Sequence, residues 1–245
     1  MDKVTVLLYT HKEYEDVLNM YLGNYKQYFS HVPLSVCVND KEWLESTYAD
    51  KFKFQAVYQY DEALPFAGRM KSVLQHITTP YVLFNQEINV IVDYPAKSLL
   101  PTIVEFMDEY DVDQVRLSDS GLRNSIRNEE MFHPMQGHFY MSVISAVWRT
   151  SKLVELYSRY SSYTYRTIES DEVQHFVSTQ YKNFYISSPY DVEHPPLHAL
   201  SWHFPSIHVT HFGKWCTHSK MNLYYVHKLL DTYNIDIHKR GVFTH

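Results

Sequence analysis

Cysteine is scarce in this sequence, and long apolar runs are missing. The 245 residues include two cysteines, Cys37 and Cys216, and no CxxC pair, so neither a disulfide framework nor a cysteine zinc site is indicated. No run approaches the roughly 20 apolar residues of a membrane span. The apolar run Val4–Tyr9 is too short for a signal peptide and has no cleavage signature. We therefore expect a cytoplasmic protein in a reducing compartment.

Several catalytic motifs and a basic surface are also absent. The sequence has no Walker P-loop, no GxGxxG and no GxSxG, which disfavours an ATPase, a dinucleotide-dependent dehydrogenase and an α/β-hydrolase. The net charge of −6 and the scattered basic residues argue against a nucleic-acid partner. Tyrosine, in contrast, is abundant, with 22 residues against 6 glycines. Tyrosine suits contacts with sugars and bases, although we expect most of these side chains in half-buried core positions.

The first ninety residues alternate between apolar runs and helical spacing. The predicted strands cover 4–9, 34–38, 53–58 and 81–84, and the predicted helices cover 13–29, 41–50 and 66–77. Alternation at this period is typical of a twisted, mainly parallel sheet with helices on its faces. The fold class predicted from the sequence is therefore α/β, with a mixed, mainly parallel sheet.

The second half of the sequence is less regular. The predicted strands cover 112–117 and 139–147, and the predicted helices cover 101–110, 151–160, 170–180 and 219–234. Proline at position 101 is expected to open its helix, and serines at 151, 170 and 219 are expected to cap the other three. Residues 188–218 are rich in proline, histidine and tryptophan, which predicts a long functional loop.

The segment 81–91 is the most informative part of the chain, because an apolar strand runs directly into polar residues. Ligands of α/β sheets bind beyond the carboxyl ends of the strands. Glu87 and Asn89 are two residues apart, so in extended backbone they face the same side. Their oxygens could hold one hard divalent cation together with ligand phosphates. The alternative interpretation is a polar turn after a core strand.

Three features in this order resemble the GT-A class of nucleotide-sugar glycosyltransferases. They are the strand–helix–strand beginning, the strand ending in Val38-Asn39-Asp40 and the strand ending in Gln86-Glu87-Ile88-Asn89. Residues 139–153 resemble the acceptor-side strand and helix of the same class. The resemblance implies a GT-A-like single domain over 1–245, with a nucleotide-sugar-binding half (1–92) and an acceptor-binding half (93–245). It implies a hexosyltransferase-type enzyme of glycan biosynthesis, which moves sugar from a nucleotide-diphosphate sugar to a hydroxyl of a glycan or other acceptor.

The resemblance also assigns roles to individual residues. The residues that it places next to the nucleotide sugar are Thr10, His11, Asn39, Asp40, Arg69, Lys71, Gln86 and Lys214. The residues that it places around a Mn²⁺ or Mg²⁺ ion are Glu87, Asn89, His208 and His211. The usual metal motif has two carboxylates, and the amide of Asn89 brings no charge. A metal-independent enzyme, in which the basic side chains neutralise the diphosphate, is therefore an open alternative.

An inverting transferase needs a general base near the acceptor hydroxyl. The candidates are Glu169, Asp171 and Glu172, which lie after the predicted acceptor-side helix, and we favour Asp171, then Glu169. Acidic residues at a helix N-terminus also have a purely structural explanation, because they suit the helix dipole. A retaining enzyme would not need this base.

Two other functions compete with the glycosyltransferase. Six histidines between positions 194 and 218 make a zinc-dependent hydrolase an alternative, although there is no HExxH and Pro195-Pro196 forbids an ordinary helix between His194 and His198. The other alternative is a non-catalytic sugar-binding module, which the amide at position 89 favours.

Overall fold

The structure is a computed structural model that describes residues 3–118, 131–137, 139–186, 203–211, 213–216 and 220–243, without the side chains of 220–223. The strands are Val4–Tyr9 (β1), Leu34–Val38 (β2), Ala56–Gln59 (β3), Tyr81–Gln86 (β4), Asn89–Ile91 (β5), Gln114–Arg116 (β6), Phe132–Pro134 (β7), Ala146–Arg149 (β8), Asn183–Ile186 (β9), Ser206–His208 (β10), Thr210–His211 (β11), Lys214–Cys216 (β12) and Val242–Phe243 (β13). The helices are Glu15–Tyr28 (α1), Lys41–Tyr48 (α2), Phe66–Leu74 (α3), Leu99–Glu109 (α4), Thr150–Arg159 (α5), Asp171–Gln180 (α6) and Lys220–Thr232 (α7).

The central sheet of the described chain has eight strands in the order β3-β2-β1-β4-β8-β6-β9-β7. Strands β3, β2, β1 and β4 are parallel neighbours, and β8 is antiparallel to both β4 and β6. The predicted α/β fold with a mixed sheet is therefore confirmed. From β1 the chain adds β2 and β3 on one side, and it then places β4 on the other side of β1. This change of side between β1 and β4 is the switch point of the sheet, and open α/β sheets bind ligands at such points.

Helices cover both faces of the sheet. Along β1, Val6 and Leu8 join the core that packs against α1, α4 and α7, whereas Leu7 joins the core that packs against α3, α5 and α6. Successive side chains of a strand point to opposite faces, so a strand buried on both faces is apolar throughout. This burial explains the apolar runs from which β1, β2 and β4 were predicted.

The strand predicted at 139–147 is wrong for most of its length, because β8 begins at Ala146. The backbone N–H of Met141 donates to Gln174 Oε1 at 2.8 Å, and that of Val143 donates to Glu169 Oε1 at 2.6 Å. Side chains in α6 and in the short helix before it thus take the hydrogen bonds that a neighbouring strand would otherwise provide.

The predicted helix starts are partly wrong. Pro101 is the third residue of α4, not the first, and α5 begins at Thr150 with Arg149 as its N-cap, so Ser151 is not a cap. Ser170 does occupy the N-cap of α6, but its buried hydroxyl has no hydrogen-bond partner in the described part of the chain. Ser219 lies outside the described residues.

The loop predicted at 188–218 is wrong where the structure describes it. Residues 206–216 contain β10, β11 and β12. Strand β10 pairs antiparallel with β5, and β12 pairs with β11 and with β13 near the end of the chain. These pairings bring the segment next to Asn89, at the carboxyl edge of the parallel strands. Within the described ranges, no helix has the length and apolar character needed to cross a membrane.

Candidate functional site

The backbone at Thr10 is fixed at the end of β1. Its N–H donates to the Cys37 carbonyl at 3.0 Å, and its carbonyl accepts from the Tyr60 hydroxyl at 2.9 Å. The Thr10 side chain is buried, and its hydroxyl has no hydrogen-bond partner among the residues described. A buried hydroxyl without a partner is uncommon, and this one lies at the switch point of the sheet.

Asn39 and Asp40, at the end of β2, hold the loop that follows β1. Asn39 Oδ1 accepts from the Lys12 N–H at 2.9 Å, and Asp40 Oδ2 accepts from Lys12 Nζ at 3.1 Å. Asp40 Oδ1 caps α2 by accepting from the Trp43 N–H, and this bond and Lys12 lower the pKa of the Asp40 carboxyl. The two ends predicted to contact a nucleoside therefore meet, although Asp40 already serves as a helix cap.

Arg69 lies at the same edge, but it binds protein groups there. It donates to the carbonyls of Glu62 and Leu64, each at 2.7 Å, and to the Tyr9 hydroxyl at 3.3 Å. Glu62 also approaches His11, with Oε1 2.5 Å from Nε2. Arg69 thus fastens the 62–64 loop beside the end of β1, which is a structural role that the sequence did not predict.

Lys71 is not brought together with Arg69. Two residues along a helix turn a side chain by about 200°, so the two side chains leave α3 on nearly opposite faces. Lys71 is exposed, whereas Arg69 is partly covered. The structure therefore does not bring these two side chains together, and their shared contact with one diphosphate stays a prediction.

Glu87 is the buried acid of the site. It follows β4 in the turn before β5, and the residue is only 6% exposed. Burial raises the pKa of its carboxyl from 4.5 to about 8, and the positive charge of Arg240 offsets only part of this rise. At neutral pH and without a bound cation the group is therefore mostly protonated, and in that state it donates a hydrogen bond.

Arg240 is a site residue that the sequence did not reveal. Its guanidinium donates to both carboxylate oxygens of Asp16, with Nε 2.7 Å from Oδ2, and to the Glu13 carbonyl at 2.7 Å. It also lies 4.4 Å from the centre of the Tyr14 ring, and it acts electrostatically on Glu87. These partners are more than 150 residues away in the chain, so no local pattern could have indicated them.

The predicted metal ligands are brought close to one another. Asn89 and His208 are cross-strand partners of β5 and β10, with Asn89 Oδ1 3.2 Å from His208 Nδ1. The rings of His208 and His211 are 6.2 Å apart, and the buried Nδ2 of Asn89 has no partner among the described residues. Nevertheless, no three histidine, cysteine, aspartate or glutamate side chains of the described chain form a group that could hold a metal ion. The residues do not fit a preformed Mn²⁺ or Mg²⁺ site. Of the histidines proposed for zinc, those at 194, 198 and 218 lie outside the described residues.

Lys214 is placed at this edge by a tight turn between β11 and β12. Gly213 has a φ of +76°, which L-residues with a side chain rarely adopt, and a Cβ there would lie 3.4 Å from the Tyr14 hydroxyl. The turn therefore packs on Tyr14, and the Arg240 guanidinium packs against the ring of the same tyrosine. Lys214 is exposed and follows directly.

The second half of the chain reaches the edge through Tyr165. The Tyr165 hydroxyl donates to Gln86 Oε1, at the end of β4, at 3.1 Å. Burial raises the pKa of this hydroxyl, and the negative charges of Glu169 and Glu87 raise it further. Tyr165 thus contacts the end of β4 and lies within electrostatic range of both carboxyl groups.

The three candidate bases differ in their surroundings. Glu169, in the short 3₁₀ helix before α6, accepts from the Val143 N–H through Oε1 and acts on Tyr165. Glu172 accepts from the Tyr163 hydroxyl at 2.7 Å. Asp171 is exposed in the first turn of α6. Of the three, Glu169 is the one that the contacts join to the centre of the site.

No family model matches the chain, and no curated protein matches it. Among solved structures, the chain is similar to TarS 1-349 from S. aureus, with 14% identity and a TM-score of 0.49 over 97% of this chain and 68% of that chain. A longer TarS structure aligns with 76% of this chain at 16% identity and a TM-score of 0.47, and the alignment spans only 35% of that structure.

Enzymes of two kinds occur among the similar structures. The mannosyltransferase PcManGT from Pyrobaculum calidifontis, in complex with GDP-Man and Mn²⁺, has 14% identity and a TM-score of 0.45 over 77% of this chain and 57% of that chain. A 4-diphosphocytidyl-2C-methyl-D-erythritol synthase from Anaerococcus prevotii has 8% identity and a TM-score of 0.49 over 75% of this chain and 86% of that chain. All of these TM-scores are below 0.5, so the activity rests on the geometry of the site.

Proposed function

We propose that the chain is a glycosyltransferase that moves a sugar from a nucleotide-diphosphate sugar to a hydroxyl group. The observation that carries the proposal is the meeting of the two halves at the switch point of the sheet. There the buried acid Glu87 follows β4, and Tyr165 bonds Gln86 and lies within electrostatic range of Glu169. A donor site and a candidate base that share one neighbouring tyrosine suit group transfer between two substrates.

In this proposal the nucleoside lies against the ends of β1 and β2, and the diphosphate lies beside Glu87. The orphan hydroxyl of Thr10 and the side chains of His11 and Asn39 face the nucleoside. Lys214 supplies positive charge for the departing diphosphate, and protonated Glu87 donates a hydrogen bond to it. Stabilisation of the charge that develops on a leaving group is usually the largest contribution to catalysis. No step of this mechanism passes through a metal.

Glu169 is the general base of the proposed reaction. The acceptor oxygen attacks the anomeric carbon, its proton passes to the Glu169 carboxylate, and the bond from the anomeric carbon to the diphosphate oxygen breaks. The stereochemistry at that carbon is inverted. The hydrogen bond from the Val143 N–H fixes one oxygen of Glu169 and leaves the other to take the proton.

The first test is donor binding and turnover by the wild-type protein. Thermal-shift measurements with UDP-glucose, UDP-N-acetylglucosamine and GDP-mannose, each with and without Mn²⁺, should show stabilisation by at least one of them. Release of nucleoside diphosphate then gives kcat. Glu169→Gln should lower kcat by about 10²-fold or more with donor binding unchanged, because a general base contributes that much.

Glu172→Gln is the matched control, since it changes a neighbouring acid that is held by Tyr163, and it should retain most activity. If Asp171→Asn abolished turnover while Glu169→Gln did not, the base would be Asp171. Absence of binding to any nucleotide sugar would overturn the proposed function. Stoichiometric zinc in protein purified without chelators would favour a hydrolase, and donor binding without turnover would favour a sugar-binding module.

A further inference from the structure

Tyr165 combines a fixed hydroxyl with partial exposure to solvent at this edge of the sheet. The residue is 41% exposed, although its hydroxyl is hydrogen-bonded to buried Gln86. Its ring meets that of Phe66 edge to face, with ring centres 5.2 Å apart and planes inclined by 68°. Two contacts therefore hold the side chain while part of the residue faces solvent.

A held aromatic ring suits ligand binding for an energetic reason. Tyrosine has only two side-chain torsions, and here the contacts with Gln86 and Phe66 restrict both before any ligand arrives. Little conformational entropy is then lost when a ligand packs on the ring. An exposed ring elsewhere on the surface, such as Tyr110 after α4, lies at the opposite end of the sheet.

The chemistry of the surroundings defines the ligand. An aromatic face is flat and apolar, and it matches the face of a pyranose ring that carries axial C–H groups. The negative charge of Glu169 also acts on this tyrosine, so a carboxylate lies in the same neighbourhood. An acyclic polyol offers hydroxyls but no flat apolar face.

We propose that Tyr165 is the stacking platform for the acceptor, and that the acceptor is therefore a pyranose sugar. This inference rests on the proposed function, because it names the acceptor class of the same site. It assigns to Tyr165 the positioning of the acceptor hydroxyl over Glu169, and it leaves donor binding to the first half of the chain.

The test uses saturation-transfer NMR with methyl glycopyranosides of glucose, galactose, mannose and N-acetylglucosamine, and with ribitol as the acyclic probe. Wild-type protein should transfer saturation to the ring protons of at least one methyl pyranoside and not to ribitol. Tyr165→Ala should weaken that binding by about tenfold, since truncating a buried aromatic anchor commonly costs this much. Tyr165→Phe keeps the ring but loses the hydrogen bond to Gln86, so it should bind more weakly than wild type and more tightly than Tyr165→Ala.

Tyr110→Ala is the matched control, because it removes an exposed tyrosine far from the cleft and should change nothing. The inference is overturned if no methyl pyranoside binds, if ribitol binds equally well, or if Tyr165→Ala binds the sugar as wild type does. These outcomes do not depend on the donor. Thermal shift of the wild-type protein with nucleotide sugars tests the proposed function separately.

Discussion

Burial of the Glu87 carboxyl makes the stability of the protein depend on pH. Its pKa is about 8 in the folded state, against about 4.3 in an unfolded chain, so between these values the folded state holds a proton that the unfolded state has lost. Stability therefore falls as the pH rises through this window. We expect Glu87→Gln to remove this loss, so that the variant gains on the order of a few kcal/mol over wild type between pH 5 and pH 9.

Urea unfolding at both pH values, in the presence of a chelator, measures this difference. Glu155→Gln changes an exposed carboxylate on α5 and should leave the pH dependence as it is in wild type. Parallel stability curves for wild type and Glu87→Gln would show that the Glu87 carboxyl is solvated in the folded protein, and would remove the argument for a hydrogen bond from Glu87 to a phosphate.

At the scale of elements, the packing of α1 against the end of α7 depends on a glycine. A Cβ added to Gly23 would collide with the ring and hydroxyl of Tyr233. That hydroxyl donates to Asn24 Oδ1 at 2.6 Å, so moving the ring breaks a partly buried hydrogen bond. Gly23→Ala should therefore destabilise the protein by about 1–3 kcal/mol, although alanine normally favours a helix interior over glycine.

The sign of the same substitution should reverse when the ring is absent. In a Tyr233→Ala background, Gly23→Ala meets no ring, and the helix preference of alanine should stabilise the protein by about 0.5–1 kcal/mol. Chemical denaturation of the four proteins in this double-mutant cycle measures the coupling. Destabilisation by Gly23→Ala in both backgrounds would place the clash somewhere other than Tyr233.

The predictable elements are those whose burial produces a recognisable pattern in the local sequence. Strands β1, β2 and β4 are buried on both faces and read as apolar runs, so their bounds were found to within two residues. The strand at 139–147 failed because long-range side-chain bonds from Glu169 and Gln174 hold that backbone. Strands β10 to β12 are two or three residues long, and their pairing with β5 and β13 has no local signal.

The candidate site was predictable to a similar extent. The polar residues that end the parallel strands were found because the end of a buried strand has a local pattern, and Glu87 is the main example. The roles of Arg240, Tyr14 and Tyr165 were missed, because each depends on contacts between residues far apart in the chain. Arg69 was predicted to bind a ligand because the sequence shows its charge. The sequence does not show that the Arg69 guanidinium donates hydrogen bonds to the carbonyls of Glu62 and Leu64.

At the scale of the whole molecule, the two halves share one sheet. Strand β8 pairs with β4 from the first half and with β6 from the second half, so the hydrogen-bonded ladder crosses the boundary between them. Phe84 lies in this seam and is buried. The halves should therefore unfold together, as small cooperative units do.

Hydrogen exchange in increasing urea tests this expectation with one peptide from each half. Peptides that cover β2 and β9 should lose protection at the same urea concentration, since each opens only when the shared sheet unfolds. Phe84→Ala should remove about 3 kcal/mol of stability and shift both peptides equally, because it leaves a cavity at the seam. If β9 lost protection first, or if Phe84→Ala shifted only one peptide, the two halves would be separate folding units, and Glu169 would have to be held near Glu87 by the Tyr165–Gln86 contact alone.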